Sequence, residues 1–299
     1  MAGHLSAAGL ALGTVQWGMP YGIANRQGRP SDSEVEHLLG LAAAAGVRTL
    51  DTARAYGESE ALLGRLIGPD PAWTIVTKLD PTAKDAGAVP DSLAASRKAL
   101  RRNVLDVVLL HRAQQRTAFA GAVWDVLQRE RDAGRVRRIG VSAGTPVEAW
   151  EALDDPQVDC LQVATSLLDQ RLNRDQFFER AMKAGRTIFV RSVFLQGVAY
   201  LGADKLPAYL DLLRGPMTTI GQWTRQRGRR TADAFLAFAA GLPGAVILIG
   251  CETAAQLDEN LQSWSRAREL AGEVADLARS IPPLGAEVLN PACWPKIAG

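Results

Sequence analysis

The pattern that most constrains the fold is a rhythm: eight short apolar runs, each separated from the next by a longer amphipathic stretch. The runs are 10–16 (LALGTVQ), 47–51 (VRTLD), 74–78 (TIVTK), 106–110 (DVVLL), 138–142 (RIGVS), 160–164 (CLQVA), 187–191 (TIFVR) and 246–250 (VILIG). None alternates cleanly between apolar and polar residues, as expected of parallel strands covered on both faces. Helices predicted at 33–45, 59–67, 91–102, 119–133, 146–153, 173–184 and 254–265 fill the intervals. Several open on a capping residue followed by an acid, as in SDSEVEHLL and TPVEAWEAL, while AAAAG and RDAG close on glycine. Eight β–α units in order, with no compositional break, predict an α/β chain folded as one (β/α)8 TIM barrel, a single domain over 1–299. A doubly wound sheet is disfavoured, because no G-x-G-x-x-G follows the first strand. The surplus between 187 and 246 predicts an enlarged loop after strand seven, with extra helices over the barrel mouth. The segment after 265 predicts a further helix and a tail.

Composition narrows the class of partner. A formal charge of +2 over 299 residues is too small to argue for nucleic acid or an anionic membrane surface. The arginine cluster TRQRGRR (224–230) has no aromatic ladder beside it and reads as a solvated loop. Cys160, Cys251 and Cys293 are odd in number and far apart, with no C-x-x-C pair, so neither a disulfide framework nor a zinc site is expected, and a reducing cytoplasm is. The first residues, MAGHLSAAGLALG, lack a basic segment followed by a long apolar core, so no signal peptide is expected. From Ala234 to Cys251 no residue is charged, but Gly241, Pro243 and Gly244 interrupt the stretch. It reads as a buried helix, a tight turn and a buried strand, not a membrane span. The expected partner is a small molecule, and oligomeric state is left open.

Barrel enzymes place their sites where strands end at the C-terminal face. Here strand two ends on Asp51, strand three on Lys78, and strand four runs into His111, with Tyr56 five residues beyond Asp51. Each has an ordinary structural explanation alone; three ionisable residues at three adjacent strand mouths do not. In this arrangement the sequence resembles the aldo-keto reductases, through DTARAYGESE (51–60), VTK (76–78) and LLHR (109–112). The likeness continues through GVS (140–142), LQVATSLLDQRL (161–172), RSVFLQG (191–197) and IGCETAAQLDEN (249–260). It implies NAD(P)H-dependent reduction of an aldehyde or ketone, with neither metal nor flavin.

Elementary chemistry agrees with that implication. A free phenol has a pKa of about 10, and an ammonium beside it favours the phenolate. Lys78 is placed to supply that charge, with Asp51 offsetting the desolvation of the lysine. Tyr56 is then the proton donor, and His111 donates a hydrogen bond that orients the carbonyl oxygen. The resemblance implies a dinucleotide extended across the mouth, met by Gly13, Thr14, Asp51, Ser142, Gln162, Arg191, Ser192, Phe194, Gln196, Gly197, Gly250, Cys251, Thr253, Gln256, Glu259 and Asn260. Ser142 and Gln162 would hold the carboxamide, and 192–197 would cover the pyrophosphate. Free backbone N–H groups at the start of the last helix would take the adenosine phosphate. Trp17 and Tyr21, with Phe194, are expected to line the substrate pocket.

Four departures from the family pattern stand out. Ala143 replaces an asparagine, Arg191 replaces a stacking aromatic, and Gly250 and Gln256 stand where many members place cations for a 2′-phosphate. Set against the family pattern, a truncated N-terminal hairpin before strand one is also expected. NADP(H) is slightly favoured over NAD(H). Cations over the mouth from the seventh loop would suit a sugar-like or anionic carbonyl substrate. Two alternatives stay open at this point: a catalytically weak, cofactor-sensing regulatory barrel, and an aldolase-like barrel using Lys78 as a Schiff-base nucleophile.

Overall fold

The computed structural model describes residues 9–25, 27–82 and 85–295. The expectations about a signal peptide and a truncated N-terminal hairpin fall on residues 1–8, outside the described residues. Eight strands form, named here β1 (Leu10–Gly13), β2 (Thr49–Asp51), β3 (Thr74–Lys78), β4 (Leu105–Leu110), β5 (Val136–Ser142), β6 (Cys160–Ala164), β7 (Thr187–Arg191) and β8 (Ala245–Gly250). Each pairs in parallel with the next, and β8 pairs with β1 to close the barrel. The first strand ends three residues earlier than expected. Thr14 turns back at that point, its N–H and its hydroxyl both donating to the Asp51 carbonyl at 2.9 Å. Val15–Gly18 then forms a single helical turn.

The absence of alternation in the strands now has a cause. One set of residues, Ala11, Val76, Val107, Leu109, Cys160, Phe189, Val246 and Leu248, fills the inside of the barrel. The intervening residues, such as Leu12, Ile75, Val108, Ile188 and Ile247, pack outward beneath the helices. Both faces are buried, so both are apolar. Gly140 belongs to the inside layer on β5. A methyl group there would lie 1.9 Å from the Cys160 carbonyl oxygen on β6.

The helices start where capping chemistry permits. Ser31 accepts from the Glu34 N–H ahead of Asp32–Ala44. Thr145 and Glu148 form a reciprocal capping box ahead of Pro146–Leu153. Three expectations need correction. The helix predicted from 119 begins at Ala122, because Phe119 and Ala120 hold left-handed backbone angles. The helix predicted to stop at 265 runs unbroken over Ala254–Ser280, since no proline interrupts it. The segment after β7 does not stack its helices over the mouth. Only its first turns reach the cleft; Arg214–Gln226 packs on Thr231–Ala240. Of the cations expected over the mouth, Arg227 turns elsewhere: its guanidinium lies 4.1 Å from the Trp223 ring centroid and 2.8 Å from Glu273. No helix among the described residues is long and apolar enough to cross a membrane.

Gly140→Ala is expected to destabilise the fold by about 3 kcal/mol, because only separation of β5 from β6 relieves the clash. A lowered urea midpoint at unchanged slope is the expected reading, and an unchanged midpoint contradicts this packing.

Candidate active site

Strand geometry assembles the site. Side chains two residues apart on a strand share a face, so each inside core residue has a counterpart one step nearer the C-terminal mouth. Ala11 leads to Gly13, Val76 to Lys78, Leu109 to His111, Cys160 to Gln162, Phe189 to Arg191, and Leu248 to Gly250. Asp51 and Ser142 occupy the equivalent level on β2 and β5; Asp51 lies opposite Gly13, and Ser142 opposite Gln162. The apolar core and the polar ring are consecutive layers of one barrel.

At the centre is a buried ion pair. Lys78 Nζ donates to Asp51 Oδ1 at 2.7 Å, to Oδ2 at 2.8 Å and to the Thr52 carbonyl at 2.9 Å, and Lys78 is only 2% exposed. Gln162 Nε2 adds a bond to Asp51 Oδ1 at 2.6 Å. Burial pulls the ammonium toward its neutral form, but Asp51 and then Tyr56 outweigh it and hold the Lys78 pKa above its ordinary value. The Lys78 Nζ lies 4.8 Å from the Tyr56 ring centroid. His111 meets the same ring edge-on, with centroids 6.1 Å apart and planes at 84°. Desolvation, followed by the charges of Lys78, Arg112 and Arg191, pushes the His111 pKa down to about 4. The imidazole is therefore neutral near pH 7. Its Nδ1 is buried with no hydrogen-bond partner among the described residues.

Tyr56 is held by the loop that carries it. The Arg54 guanidinium reaches the buried Glu60 at 2.7 Å, and Glu60 also accepts from the Thr77 hydroxyl at 2.6 Å. Gly57 has φ +53° and sits so close that a methyl group would lie 2.5 Å from the Gly18 carbonyl oxygen. Glycine is required at this contact, where the loops after β1 and β2 touch.

A cleft of about 610 Å3 runs from this group across the mouth. Along it lie Gly13, Thr14, Tyr21, Ser142, Gln162, Arg191, Ser192, Phe194, Gln196 and Gly197, and at the far end Gly250, Gln256, Glu259 and Asn260. Ser192, Leu195, Gln196 and Gly197 all hold positive φ, a concentration of backbone strain along one wall. Gln196 ties this wall to the first loop, donating from its side chain to the Tyr21 hydroxyl at 3.2 Å and accepting from the Ile23 N–H at 3.1 Å. Desolvation, reinforced by Tyr56, raises the Tyr21 pKa. Arg191 donates to the Ala143 carbonyl at 3.2 Å and to Ser192 Oγ at 3.3 Å, and no carboxylate is paired with it among the described residues.

Three expected contacts do not line the cleft. Trp17 is wholly buried, and its indole N–H donates to the Cys251 carbonyl at 2.9 Å. Its helical turn aims it into the core between β1 and β8. The Cys251 side chain is buried, with its thiol pKa pushed up to about 12 by desolvation. Thr253 caps the last helix by accepting from the Gln256 N–H. Nor are the first N–H groups of that helix free as expected, since Ala254 donates to Glu34 Oε1 at 2.6 Å.

Other cleft residues escaped the sequence reading. Gln16, three residues past β1, carries a buried Oε1 with no partner among the described residues. Glu252 follows β8 into the same cleft. Tyr200 had no signal: it lies in the seventh insertion, yet its hydroxyl donates to Asn260 Oδ1 at 2.9 Å, and burial raises its pKa. Arg230, from the 224–230 cluster, does not line the cleft itself but pairs with Glu259 at its far end and donates to the Glu259 carbonyl at 3.0 Å.

The volume lies in the range of small-molecule and cofactor sites. Two buried polar atoms without partners, Gln16 Oε1 and His111 Nδ1, belong to residues of the same cleft, and the ring at its floor is rich in donors and acceptors. The cleft therefore fits an extended polar ligand such as a dinucleotide.

Comparison with known proteins agrees. The sequence matches the aldo/keto reductase family profile over residues 9–280, and the chain belongs to that family. It is 27% identical over 306 aligned residues to the 6-dehydroglucose reductase of Novosphingobium aromaticivorans, covering 93% of this chain and 96% of that protein. An aldo-keto reductase from Klebsiella pneumoniae, solved in complex with NADPH, has a TM-score of 0.69 at 20% identity, covering 94% of this chain and 93% of that one. The glycerol dehydrogenase of Gluconobacter oxydans has a TM-score of 0.70 at 18% identity, covering 92% and 93%. With the family comes the enzyme class: a nicotinamide-dependent oxidoreductase acting on carbonyl compounds.

Removing the carboxylate with Asp51→Ala leaves Lys78 buried without a counter-ion. The expected loss is about 3 kcal/mol or more of unfolding free energy, and a loss below 1 kcal/mol contradicts the burial of the pair. His111 yields a pH signature. Its folded pKa, about 4, lies below the ordinary 6.5, so its contribution is complete above pH 6.5 and is lost as pH falls toward 4. Between pH 7 and 4 the parent chain should lose on the order of 3 kcal/mol more stability than His111→Gln. Parallel curves would contradict a depressed pKa.

Proposed function

We propose that this chain reduces an aldehyde or ketone to the alcohol with NAD(P)H, with Tyr56 as the proton donor. The observation that carries the reading is the Asp51–Lys78 pair beneath the Tyr56 ring, with a neutral His111 at the ring's edge. Held along the cleft, a reduced nicotinamide would supply the hydride, two electrons and one hydrogen nucleus, for the carbonyl carbon. The chain's residues handle the oxygen. As negative charge develops there, Tyr56 gives up its hydroxyl proton, and the Lys78 ammonium favours the phenolate left behind. Asp51 and Gln162 fix the lysine in place. His111, being neutral, keeps a single N–H to donate to the oxygen without competing for the Tyr56 proton. Gln162, Ser142 and Gln16 would hold the ring and its ribose, and Gln256, Glu259 and Asn260 the adenosine end.

Lys78 is poorly suited to the Schiff-base alternative. Its ammonium donates to Asp51 and to the Thr52 carbonyl, and its raised pKa keeps its lone pair protonated. For the substrate, we infer a small polyhydroxylated carbonyl, in keeping with the sugar substrate named for the Novosphingobium relative and with the polar cleft lining. The slight preference for NADP(H) draws support from the similar Klebsiella pneumoniae aldo-keto reductase, which was solved with NADPH. We assign the protein to the cytoplasm on its scattered, unpaired cysteines.

Tyr56→Phe is expected to slow carbonyl-dependent NAD(P)H oxidation by roughly a thousandfold while leaving dinucleotide affinity within about twofold. Undiminished turnover would remove Tyr56 from the mechanism. Tight cofactor binding by the parent chain without turnover on a broad carbonyl panel would favour the regulatory barrel.

A further inference from the structure

The charge balance at the reaction end of the cleft is uneven. Asp51 and Lys78 cancel, and His111 is neutral near pH 7. Arg191 remains. Its guanidinium is held by two neutral oxygens, those of Ala143 and Ser192, and it has no ion-pair partner among the described residues. It occupies the inward position at the end of β7, in the same ring as Lys78, His111 and Gln162, and its charge acts on both His111 and Tyr21. The cleft's other carboxylates, Glu252 and Glu259, lie beside the helix at the opposite end, and Glu259 is paired with Arg230.

We propose that Arg191 makes the cleft discriminate between the two redox states of its dinucleotide, binding the reduced form more tightly than the oxidised one. This rests on the dinucleotide-dependent reading above. The substrate oxygen must reach Tyr56 and His111, and the hydride donor must approach the adjacent carbon within about 3.5 Å, which brings the nicotinamide into the ring of residues that contains Arg191. In the reaction the hydride passes to the carbonyl carbon, the carbon–oxygen π pair moves to oxygen and takes the Tyr56 proton, and the ring is left a cation. The dihydronicotinamide is neutral, so Arg191 repels only the oxidised state. At an effective dielectric constant of about 20, two like unit charges sharing one end of a cleft would repel by an amount worth on the order of tenfold in affinity. The overall equilibrium, a property of the free reactants, is unchanged; the bias clears the oxidised product from the cleft.

The test is a set of fluorescence titrations with NADPH, NADP+, NADH and NAD+, on the parent chain and on Arg191→Met and Arg191→Lys. The parent should bind the reduced form of its preferred cofactor on the order of tenfold more tightly than the oxidised form. Arg191→Met should bring the two affinities together, chiefly by strengthening binding of the oxidised form, and Arg191→Lys should keep the gap. An unchanged ratio in Arg191→Met, or equal weakening of both forms, overturns the proposal and makes Arg191 a plain contact. Failure of the parent chain to bind any of the four dinucleotides would sink the functional reading itself. Thermal melts of both variants verify that they are folded.

Discussion

The site depends on one buried ion pair. Taking an ammonium and a carboxylate out of water is costly, and the cost is met only where geometry is good and the remaining hydrogen-bonding capacity is used. Asp51 and Lys78 meet those conditions with two direct bonds, a third from Lys78 to the Thr52 carbonyl, and a further donor on Asp51 from Gln162. Because the two residues end adjacent strands, the barrel itself sets their separation. The pair in turn positions the charge beneath Tyr56, and the cation raises the cost of protonating His111.

Around this pair the molecule separates stability from chemistry by level. The inside layer is apolar and tightly packed, with Gly140 keeping β5 and β6 in contact. One step nearer the mouth the same strands present charge and hydrogen-bonding groups, and the loops supply what the strands cannot. Tyr56 comes from the loop after β2, braced by Arg54 and Glu60 and seated by the contact of Gly57 with Gly18. The wall from Ser192 to Gly197 is backbone wound through left-handed angles and pinned to the first loop through Gln196.

Much of this was legible in the chain because strand ends are legible. Asp51, Lys78 and His111 each follow an apolar run directly, so finding the runs finds the level at which these residues sit. Features that depend on long-range packing were not. Trp17 follows a strand as a pocket residue would, but one helical turn rotates it into the core. Thr253 has the chemistry of a ligand contact and of a helix cap, and nothing local separates the two. Two arginines of 224–230, Arg227 and Arg230, are partnered by residues dozens of positions away, Glu273 and Glu259. Gln16 and Glu252 could have been found by applying to β1 and β8 the same logic that singled out Lys78. Tyr200, inside an insertion without periodicity, could not.

The bond from the Trp17 indole to the Cys251 carbonyl has a consequence for biosynthesis. It joins positions 234 residues apart, so it cannot form until nearly the whole chain has left the ribosome. The residues proposed for proton transfer are all translated by His111, and the last wall of the cleft arrives with Asn260, roughly 150 residues and about 10 to 30 s later. Within that interval β2 and β3, with Asp51 and Lys78 at their ends, have already been synthesised. The indole, in contrast, waits without its acceptor until the final strand docks, which makes it a latch that engages only once translation of the barrel is complete.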